Sequence, residues 1–178
     1  CVTVLGVPLP GGPVRRDGAQ PGDVLLVTGA LGGSYLGRHL EPVPRLSEVT
    51  ALLGLARVHA CMDISDGLAL DLSRMMRESG TGAVLKAEQI PIHAEALELA
   101  RTSGRTPLAH ALEDGEDFEL LLALAPDDWA SVRPHWPPPA CDTPLTVVGE
   151  VLGQEGLLLE DAAGDRRPLS PRGYAHAF

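Results

Sequence analysis

The sequence predicts an α+β fold, a layered domain in which helices cover a mixed β-sheet. Short apolar runs rich in β-branched residues occur together with longer stretches of helical periodicity. The two kinds of element do not keep the strict strand–helix–strand order that a wholly parallel sheet requires, so both strand directions are expected. The 178 residues suffice for one domain with a sizeable core, and we take residues 1–178 as that domain.

Strands are predicted where short runs of apolar and β-branched residues lie between turn residues. The run 24–28 has the composition of a buried strand. The run 116–124 becomes wholly apolar, which is typical of a central strand. The other predicted strands are 2–7, 60–64 and 83–86, with a closing hairpin of 147–152 and 156–160.

Helices are predicted where apolar residues recur on one face. The clearest stripe runs along 68–78, and Gly80 follows as a plausible C-cap. A short helix begins at Pro126, where an aspartate is placed to cap it. Further helices are predicted at 34–40, 46–59 and 94–101, whereas 133–144 is proline-rich and irregular. Core or cover positions are assigned to Met75, Met76, Trp129 and Trp136.

Composition excludes several classes of protein. The formal net charge of −10 argues against a general nucleic-acid or anionic-membrane binder. No apolar run approaches the length of a membrane span, and aromatic residues make up only 3%, which argues against base-stacking platforms. A phosphorylated substrate remains compatible with this charge, because a bound metal ion can supply positive charge locally.

Cysteine and histidine give no sign of a disulfide framework or a zinc site. The three cysteines are an odd number without a Cys-x-x-Cys pair, and the six histidines are scattered without ligand spacing. The chain begins at Cys1 with neither an initiator methionine nor a signal peptide. We therefore expect it to be a piece of a longer protein.

The segment 62–67, Met-Asp-Ile-Ser-Asp-Gly, stands where an extended run turns into a helix. A helix start attracts anions, and Mg²⁺ is usually held by one or two carboxylates plus substrate phosphates. Asp63 and Ser65 point to one side of an extended run, and Asp66 can turn toward the same pocket, which predicts a metal–phosphate site. The alternative is that an aspartate or serine caps the following helix. A cap needs one oxygen-bearing side chain, whereas three are present.

A second acidic cluster, Asp114-Gly115-Glu116-Asp117, precedes the apolar strand. Acidic groups at the end of a central strand tend to line a pocket, and a solvated loop is the equally weighted alternative. Arg15 and Arg16 suit a salt-bridged surface turn or phosphate binding. The glycine-rich segment 29–34 lacks the Gly-Lys-Ser/Thr of a phosphate loop and is interpreted as a plain loop.

Four blocks in order resemble the thiamine-monophosphate kinase family. Met-Asp-Ile-Ser-Asp-Gly-Leu at 62–68, followed by Asp71, resembles the signature of its second domain. Residues 111–120 resemble its Gly-Gly-Glu-Asp-Tyr-Glu-Leu block, although Asp114 stands where the family has a glycine. Residues 16–29 are similar to its Arg-Ser-Gly-Ala-x-Pro-Gly-Asp…Val-Thr-Gly segment, and 173–176 to its terminal Gly-Tyr-x-His.

This resemblance implies a cytoplasmic, ATP-dependent kinase that converts thiamine phosphate to thiamine diphosphate, with Mg²⁺ as cofactor. It implies the C-terminal domain fold of the aminoimidazole-ribonucleotide synthetase superfamily, and dimerisation through an N-terminal nucleotide and metal domain that lies outside this chain. By position, Asp63 and Asp66 would bind the metal and Ser65 and Arg16 would contact ATP. Substrate-binding positions would be Glu116 and Tyr174.

Phosphoryl transfer depends on positioning and charge neutralisation more than on covalent chemistry. We identify no covalent or general-base residue and no Ser/His/Asp constellation in the sequence, so we expect direct in-line transfer. Three alternatives remain within the superfamily: selenophosphate synthetase, aminoimidazole-ribonucleotide synthetase and a hydrogenase-maturation enzyme. The last would normally carry a reactive C-terminal cysteine, which this chain lacks. A non-catalytic nucleotide-binding or scaffold domain is the remaining alternative.

Overall fold

The computed structural model of the protein describes residues 3, 5–7, 11–139 and 141–174. Within these residues seven strands form one sheet, and helices cover it. The strands are Val24–Thr28 (β1), Val58–Ile64 (β2), Gly82–Lys86 (β3), Glu119–Leu124 (β4), Leu145–Leu152 (β5), Gly156–Glu160 (β6) and Arg166–Pro168 (β7). The α-helices are Leu46–Leu55 (α1), Leu68–Ser79 (α2), Ala94–Ser103 (α3), Pro107–Glu113 (α4) and Pro126–Val132 (α5). The predicted α+β class is confirmed.

The strand order is β2-β4-β1-β5-β3-β6-β7, and β3 with β6 is the parallel pair in this mixed sheet. The predicted hairpin of β5 and β6 is wrong, because β3 lies between them. The connection between β5 and β6 crosses the start of β3 at Gly82. A Cβ at Gly82 would lie 2.0 Å from the carbonyl oxygen of Gln154, so glycine is what permits this crossing.

Each face of the sheet carries its own hydrophobic cluster, because side chains alternate along a strand. In β1, Leu25 and Val27 belong to the cluster that also contains residues of α2 and α4. Leu26 belongs to the opposite cluster, with residues of α1 and α5. The predicted central position of β4 is confirmed, since it lies between β2 and β1.

Several predicted boundaries are wrong. The segment 34–40 forms two short 3₁₀ turns, Ser34–Leu36 and Arg38–Leu40, because Gly37 between them has a φ of 136°. The helix predicted over 46–59 ends at Leu55, and residues from Val58 onward join β2 instead. Pairing in the sheet therefore overrides the helical periodicity there. Of the strand predicted at 2–7, Val2 and Val4 lie outside the described residues, and the described ones form no strand.

The remaining comparisons concern helices α2, α4 and α5 and the residues at their ends. Helix α2 and its C-cap Gly80, which has a left-handed φ of 67°, are confirmed. Helix α4 was not predicted, although Thr106 caps it by accepting the N–H of Ala109 and proline follows at the first position. The aspartate cap predicted for α5 is wrong, since its N-cap is Ala125 and no side chain bonds there.

The predicted core and cover residues are confirmed. Met75 and Met76 are buried in the cluster beneath α2, and both tryptophans are partly buried against the opposite cluster. The indole of Trp136 donates to the carbonyl oxygen of Thr143 at 3.0 Å. Among the described residues, Cys61 and Cys141 are free thiols.

Leu121→Ala should lower the free energy of unfolding by about 2–5 kcal/mol, because it opens a cavity in a strand that is buried on both faces. Leu121 is 0% exposed and lies at the middle of β4. Leu40→Ala is the matched control: this side chain is 74% exposed, and its removal should change stability by less than about 0.5 kcal/mol. Urea unfolding of the two variants checks this, and equal stabilities would contradict the described core.

Candidate active site

The loop between β2 and α2 is held by a buried carboxylate rather than by a helix cap. Asp71, in the first turn of α2, is fully buried. One of its oxygens accepts the backbone N–H of Ser65 at 3.0 Å and of Asp66 at 2.9 Å. The N-cap of α2 is Gly67, and no side chain bonds there, so the capping alternative is wrong. The hydroxyl of Ser65 and the carboxylate of Asp66 are therefore not used as caps.

Two further segments pack against this loop through main-chain bonds. The turn before β4 donates from Glu116 N to the carbonyl of Ser65 at 2.7 Å. The tail donates from Tyr174 N to the carbonyl of Asp66 at 2.9 Å. A Cβ at Gly115 would lie 2.6 Å from the carbonyl oxygen of Ser65, so only glycine permits this approach. The end of β2, the turn before β4 and the segment that contains Tyr174 thus meet at one place.

A cavity of about 520 Å³ opens where these segments meet. Its lining residues are Tyr35, Ser65, Asp66, Glu116, Phe118 and Tyr174. Its volume is in the range of small-molecule sites. Four of the predicted site residues are thereby brought together: Ser65, Asp66, Glu116 and Tyr174.

Aromatic rings form much of this pocket, although the chain is poor in them. The sequence contains two tyrosines, two phenylalanines and two tryptophans. Both tyrosines and Phe118 line the pocket. Sequence reasoning missed Tyr35 and Phe118. The sequence pattern places Phe118 in the strand that becomes β4, and Tyr35 in a helix over 34–40 that does not form.

The carboxylates of the 63–66 segment have different surroundings. Asp66 forms an ion pair with Arg74 of α2, and the same guanidinium nitrogen donates to Asp71 at 2.7 Å. Asp63 lies near the end of β2, opposite Leu120 of β4, where it is exposed and outside the pocket lining. The charge of Asp66 is therefore balanced within the chain, whereas that of Asp63 faces solvent.

These two carboxylates fit a magnesium site only as part of a larger set of ligands. Among the described residues, no group of three or more histidine, cysteine or acidic side chains is arranged to hold a metal ion. Mg²⁺ commonly takes one or two carboxylates, with water and phosphate oxygens completing the octahedron. Asp63 and Asp66 match that donor chemistry, and Asp66 would exchange Arg74 for the ion.

The second acidic cluster is not a solvated loop. Asp114 is buried and accepts from Gly33 N at 3.3 Å, from Arg105 at 2.7 Å and from His110 at 2.8 Å. Asp117 is also buried, and both of its oxygens lie 3.0 Å from Gly32 N. These two carboxylates therefore hold the 29–34 loop in place through its backbone N–H groups. Those N–H groups bind carboxylates of this chain, as suits the interpretation of the segment as a plain loop.

Glu116 and Phe118 have left-handed backbones, with φ of 63° and 54°. Residues with a Cβ adopt this region at a cost, and such strain concentrates at functional sites. The two residues flank Asp117, and burial raises the pKa of Asp117 from 3.8 to about 7 against the opposing effects of Gly32 N–H and Arg38. The strained turn thus surrounds a buried acid.

Arg16 is not brought to the pocket. Its guanidinium donates to Glu78 at 2.6 Å, near the C-terminal end of α2. That helix has 12 residues, so its two ends are about 16–18 Å apart, and the pocket lies at the other end. Arg15 pairs with Asp17 at the surface, as the salt-bridged turn predicted. Contact of Arg16 with ATP stays a prediction.

A Ser/His/Asp series is present, contrary to expectation. Ser103 Oγ lies 2.7 Å from His110 Nε2, and His110 Nδ1 lies 2.8 Å from Asp114. Ser103 is the last residue of α3, where the helix dipole is negative and disfavours an oxyanion. Its hydroxyl also accepts the N–H of Arg105 at 3.2 Å, and it does not line the pocket. The series therefore ties α3 to α4.

Residues 20–157 match the family described as AIR synthase related protein, C-terminal domain. The chain belongs to this family. Thiamine-monophosphate kinase from Rhodopirellula baltica is 46% identical over 165 residues, which are 92% of this chain and 51% of that protein. The enzyme of the same name from Methanospirillum hungatei is 36% identical over 183 residues, 98% of this chain and 57% of that protein.

Two solved structures have the same fold as this chain. The structure of AaThiL complexed with AMPPCP and TMP has a TM-score of 0.73 at 29% identity, covering 92% of this chain and 54% of that one. HypE of E. coli, a hydrogenase maturation protein, has a TM-score of 0.68 at 22% identity, covering 93% and 53%. The resemblance and the superfamily fold inferred from the four motif blocks are confirmed. The chain spans about half the length of these relatives.

Two further points of the sequence analysis concern the end of the last motif block and the membrane. His176 of the terminal block lies outside the described residues. In the part of the chain that is described, no helix combines the length and the apolar character needed to cross a membrane.

Replacing Asp117 by asparagine should remove a pH-dependent loss of stability. Because its folded-state pKa is raised, the stability from this group is greatest at acidic pH and is lost as the pH rises toward 7. From pH 5 to 7 the wild type should lose about 2 kcal/mol in total relative to Asp117→Asn, and the loss should level off by pH 8. Urea unfolding at pH 5, 6, 7 and 8 measures this difference. Parallel curves for the two proteins would contradict the raised pKa.

Glu116→Gly should raise the free energy of unfolding by about 1 kcal/mol, because glycine adopts a positive φ without a Cβ penalty. Its main-chain bond to Ser65 would be kept. Glu98→Gly, at an exposed position inside α3, is the control and should lower stability by about 1 kcal/mol. Thermal unfolding compares the two, and a destabilised Glu116→Gly would show that the turn is not strained.

Proposed function

We propose that this chain is the substrate-binding half of a thiamine-phosphate kinase, which transfers the γ-phosphoryl group of ATP to thiamine phosphate. The observation that carries the proposal is the convergence of Ser65, Asp66, Glu116 and Tyr174 on one pocket from three separate segments. Relatives named thiamine-monophosphate kinase support the reaction, and the complex of AaThiL with AMPPCP and TMP supports both ligands. Because the chain spans about half of these proteins, the reaction belongs to a protein of their full length.

The pocket chemistry suits the thiamine moiety. Thiamine carries a planar, positively charged thiazolium ring. Aromatic faces and a carboxylate attract such a ring, through its charge and by stacking. Glu116 supplies the carboxylate, and Tyr174, Tyr35 and Phe118 supply the rings. We assign these four residues to the binding of thiamine.

The Ser65–Asp66 side of the pocket is assigned to the phosphates. Ser65 would donate its hydroxyl to a phosphate oxygen, and Asp63 and Asp66 would hold Mg²⁺. When bound, the ion would neutralise phosphate charge and orient the two reactants. Arg74, beside Asp66, is a further cation at this side of the pocket. Arg16 lies near the opposite end of α2 from this pocket. It could contact ATP only if the nucleotide extended that far or if the segment containing Arg16 moved.

Direct in-line transfer needs no general base here. The acceptor is a phosphate monoester, whose second pKa is about 6, so it is largely ionised at neutral pH and has no proton to lose. The residues assigned to the phosphate side would bind and orient the two phosphate groups.

The other parts of the proposal concern the whole protein. An N-terminal domain would supply further metal ligands, part of the nucleotide site and the dimer interface. We expect the enzyme to act in the cytoplasm on small molecules, without nucleic acid or membrane partners.

Asp66→Asn should lower the rate of thiamine diphosphate formation by at least about 100-fold in the full-length protein, because a neutral amide is a poor Mg²⁺ ligand. Asp127→Asn, an exposed carboxylate in the first turn of α5, should leave the rate unchanged. The rate is measured by chromatography of the products formed from ATP and thiamine phosphate. An unaffected Asp66→Asn enzyme would exclude this residue as a metal ligand, and an inactive wild type would exclude the proposed reaction.

A further inference from the structure

Asp117 occupies an unusual place in the strained turn before β4. Its neighbours Glu116 and Phe118 both have positive φ and both line the pocket. The side chain of Asp117 is fully buried instead. A turn with two such residues persists only where surrounding contacts force it.

The contacts of Asp117 provide that force. Its two oxygens accept the backbone N–H of Gly32, each at 3.0 Å, and one of them also accepts from Arg38 Nη2 at 3.1 Å. Arg38 is itself fixed, because it donates to the carbonyl of Gly32 at 3.0 Å and to Glu95 of α3 at 3.1 Å. The guanidinium of Arg38 is therefore a fixed partner, and its bond restricts movement of the Asp117 side chain.

The 29–34 loop, which contains Gly32, is constrained as well. A Cβ at Gly32 would lie 2.7 Å from the backbone nitrogen of Ala111, so this loop packs directly on α4. Ser34 Oγ donates to the carbonyl oxygen of Gly115 at 2.7 Å and forms a second connection to the turn. On its other side the turn bonds to the β2 loop through Glu116 N and Phe118 N, at 2.7 and 2.9 Å. The turn is held from both sides.

We propose that Asp117 is a positioning residue, which holds Glu116 and Phe118 in left-handed conformations and so turns both side chains into the pocket. Asp117 itself does not line the pocket. The assignment of the pocket to thiamine rests on the proposed function, whereas the holding role rests on the geometry of the turn.

The test compares three variants of the full-length protein. Asp117→Ala removes both acceptor oxygens, and Asp117→Asn keeps one of them for Gly32. Glu95→Gln is the matched control, because it removes the other carboxylate partner of Arg38 without a contact to the turn. Thiamine phosphate is titrated into each protein well below its unfolding temperature, and the dissociation constant is obtained by NMR. Three-bond HN–Hα couplings and carbon shifts report φ at residues 116 and 118.

Asp117→Ala should weaken binding at least tenfold and return residues 116 and 118 to negative φ. Asp117→Asn should have an intermediate effect, and Glu95→Gln should bind within twofold of the wild type. If Asp117→Ala does not fold, Asp117→Asn carries the comparison. A variant of Asp117 that is less stable, yet keeps positive φ and wild-type binding when folded, would overturn the proposal.

Failure of the proposed function gives a different result. If the wild type binds no thiamine phosphate while an Asp117 variant still loses the positive φ, the holding role stands and the assigned substrate is wrong. If the wild type binds and the Asp117 variants keep both binding and backbone, the positioning role is wrong and the proposed function is unaffected.

Discussion

The pocket depends on an extension of the pairing between β2 and β4 beyond the ends of both strands. Ile64 pairs with Glu119 at the last position of the ladder. The bond from Phe118 N to Ile64 O and the bond from Glu116 N to Ser65 O continue it into the loops. Because the strands are antiparallel, the residues after β2 and those before β4 must lie at the same end of the two strands. This main-chain contact brings together two acidic segments that are far apart in the sequence.

Buried carboxylates bonded to backbone N–H groups then fix the loops at this end of the strands. Burying a charged side chain is costly unless it is paired and hydrogen-bonded. Asp71, Asp114 and Asp117 each have a backbone N–H and an arginine as partners, and these partners offset only part of that cost at Asp71 and Asp117, where burial still raises the pKa. Acidic residues of both motifs thus have two different tasks. Some hold the backbone, and Asp66 and Glu116 remain to face the pocket.

Local signals were sufficient for the elements that do not depend on distant partners. The apolar stripe and the C-cap predicted α2, the run of β-branched residues predicted β1, and the motif blocks predicted four of the six pocket residues. Strand order could not be predicted in the same way. The crossing of the β5–β6 connection over Gly82 depends on a clearance in three dimensions that no local pattern indicates. Likewise, Tyr35 and Phe118 enter the pocket through a broken helix and a left-handed backbone, which sequence periodicity does not reveal.

The sheet topology has a consequence for the order in which the chain can fold during synthesis. The residues of β1 are synthesised early, but they pair with β4 and β5, which come much later in the chain. Strand β3 likewise lacks one of its two neighbours until β6 has been synthesised. Such non-local pairing slows folding, because long loops must close before the contacts form. The tail that supplies Tyr174 follows β7, the last strand in the part of the chain that the structure describes. The pocket is therefore completed last, and a chain that stopped before residue 173 would contain the whole sheet but lack one pocket wall.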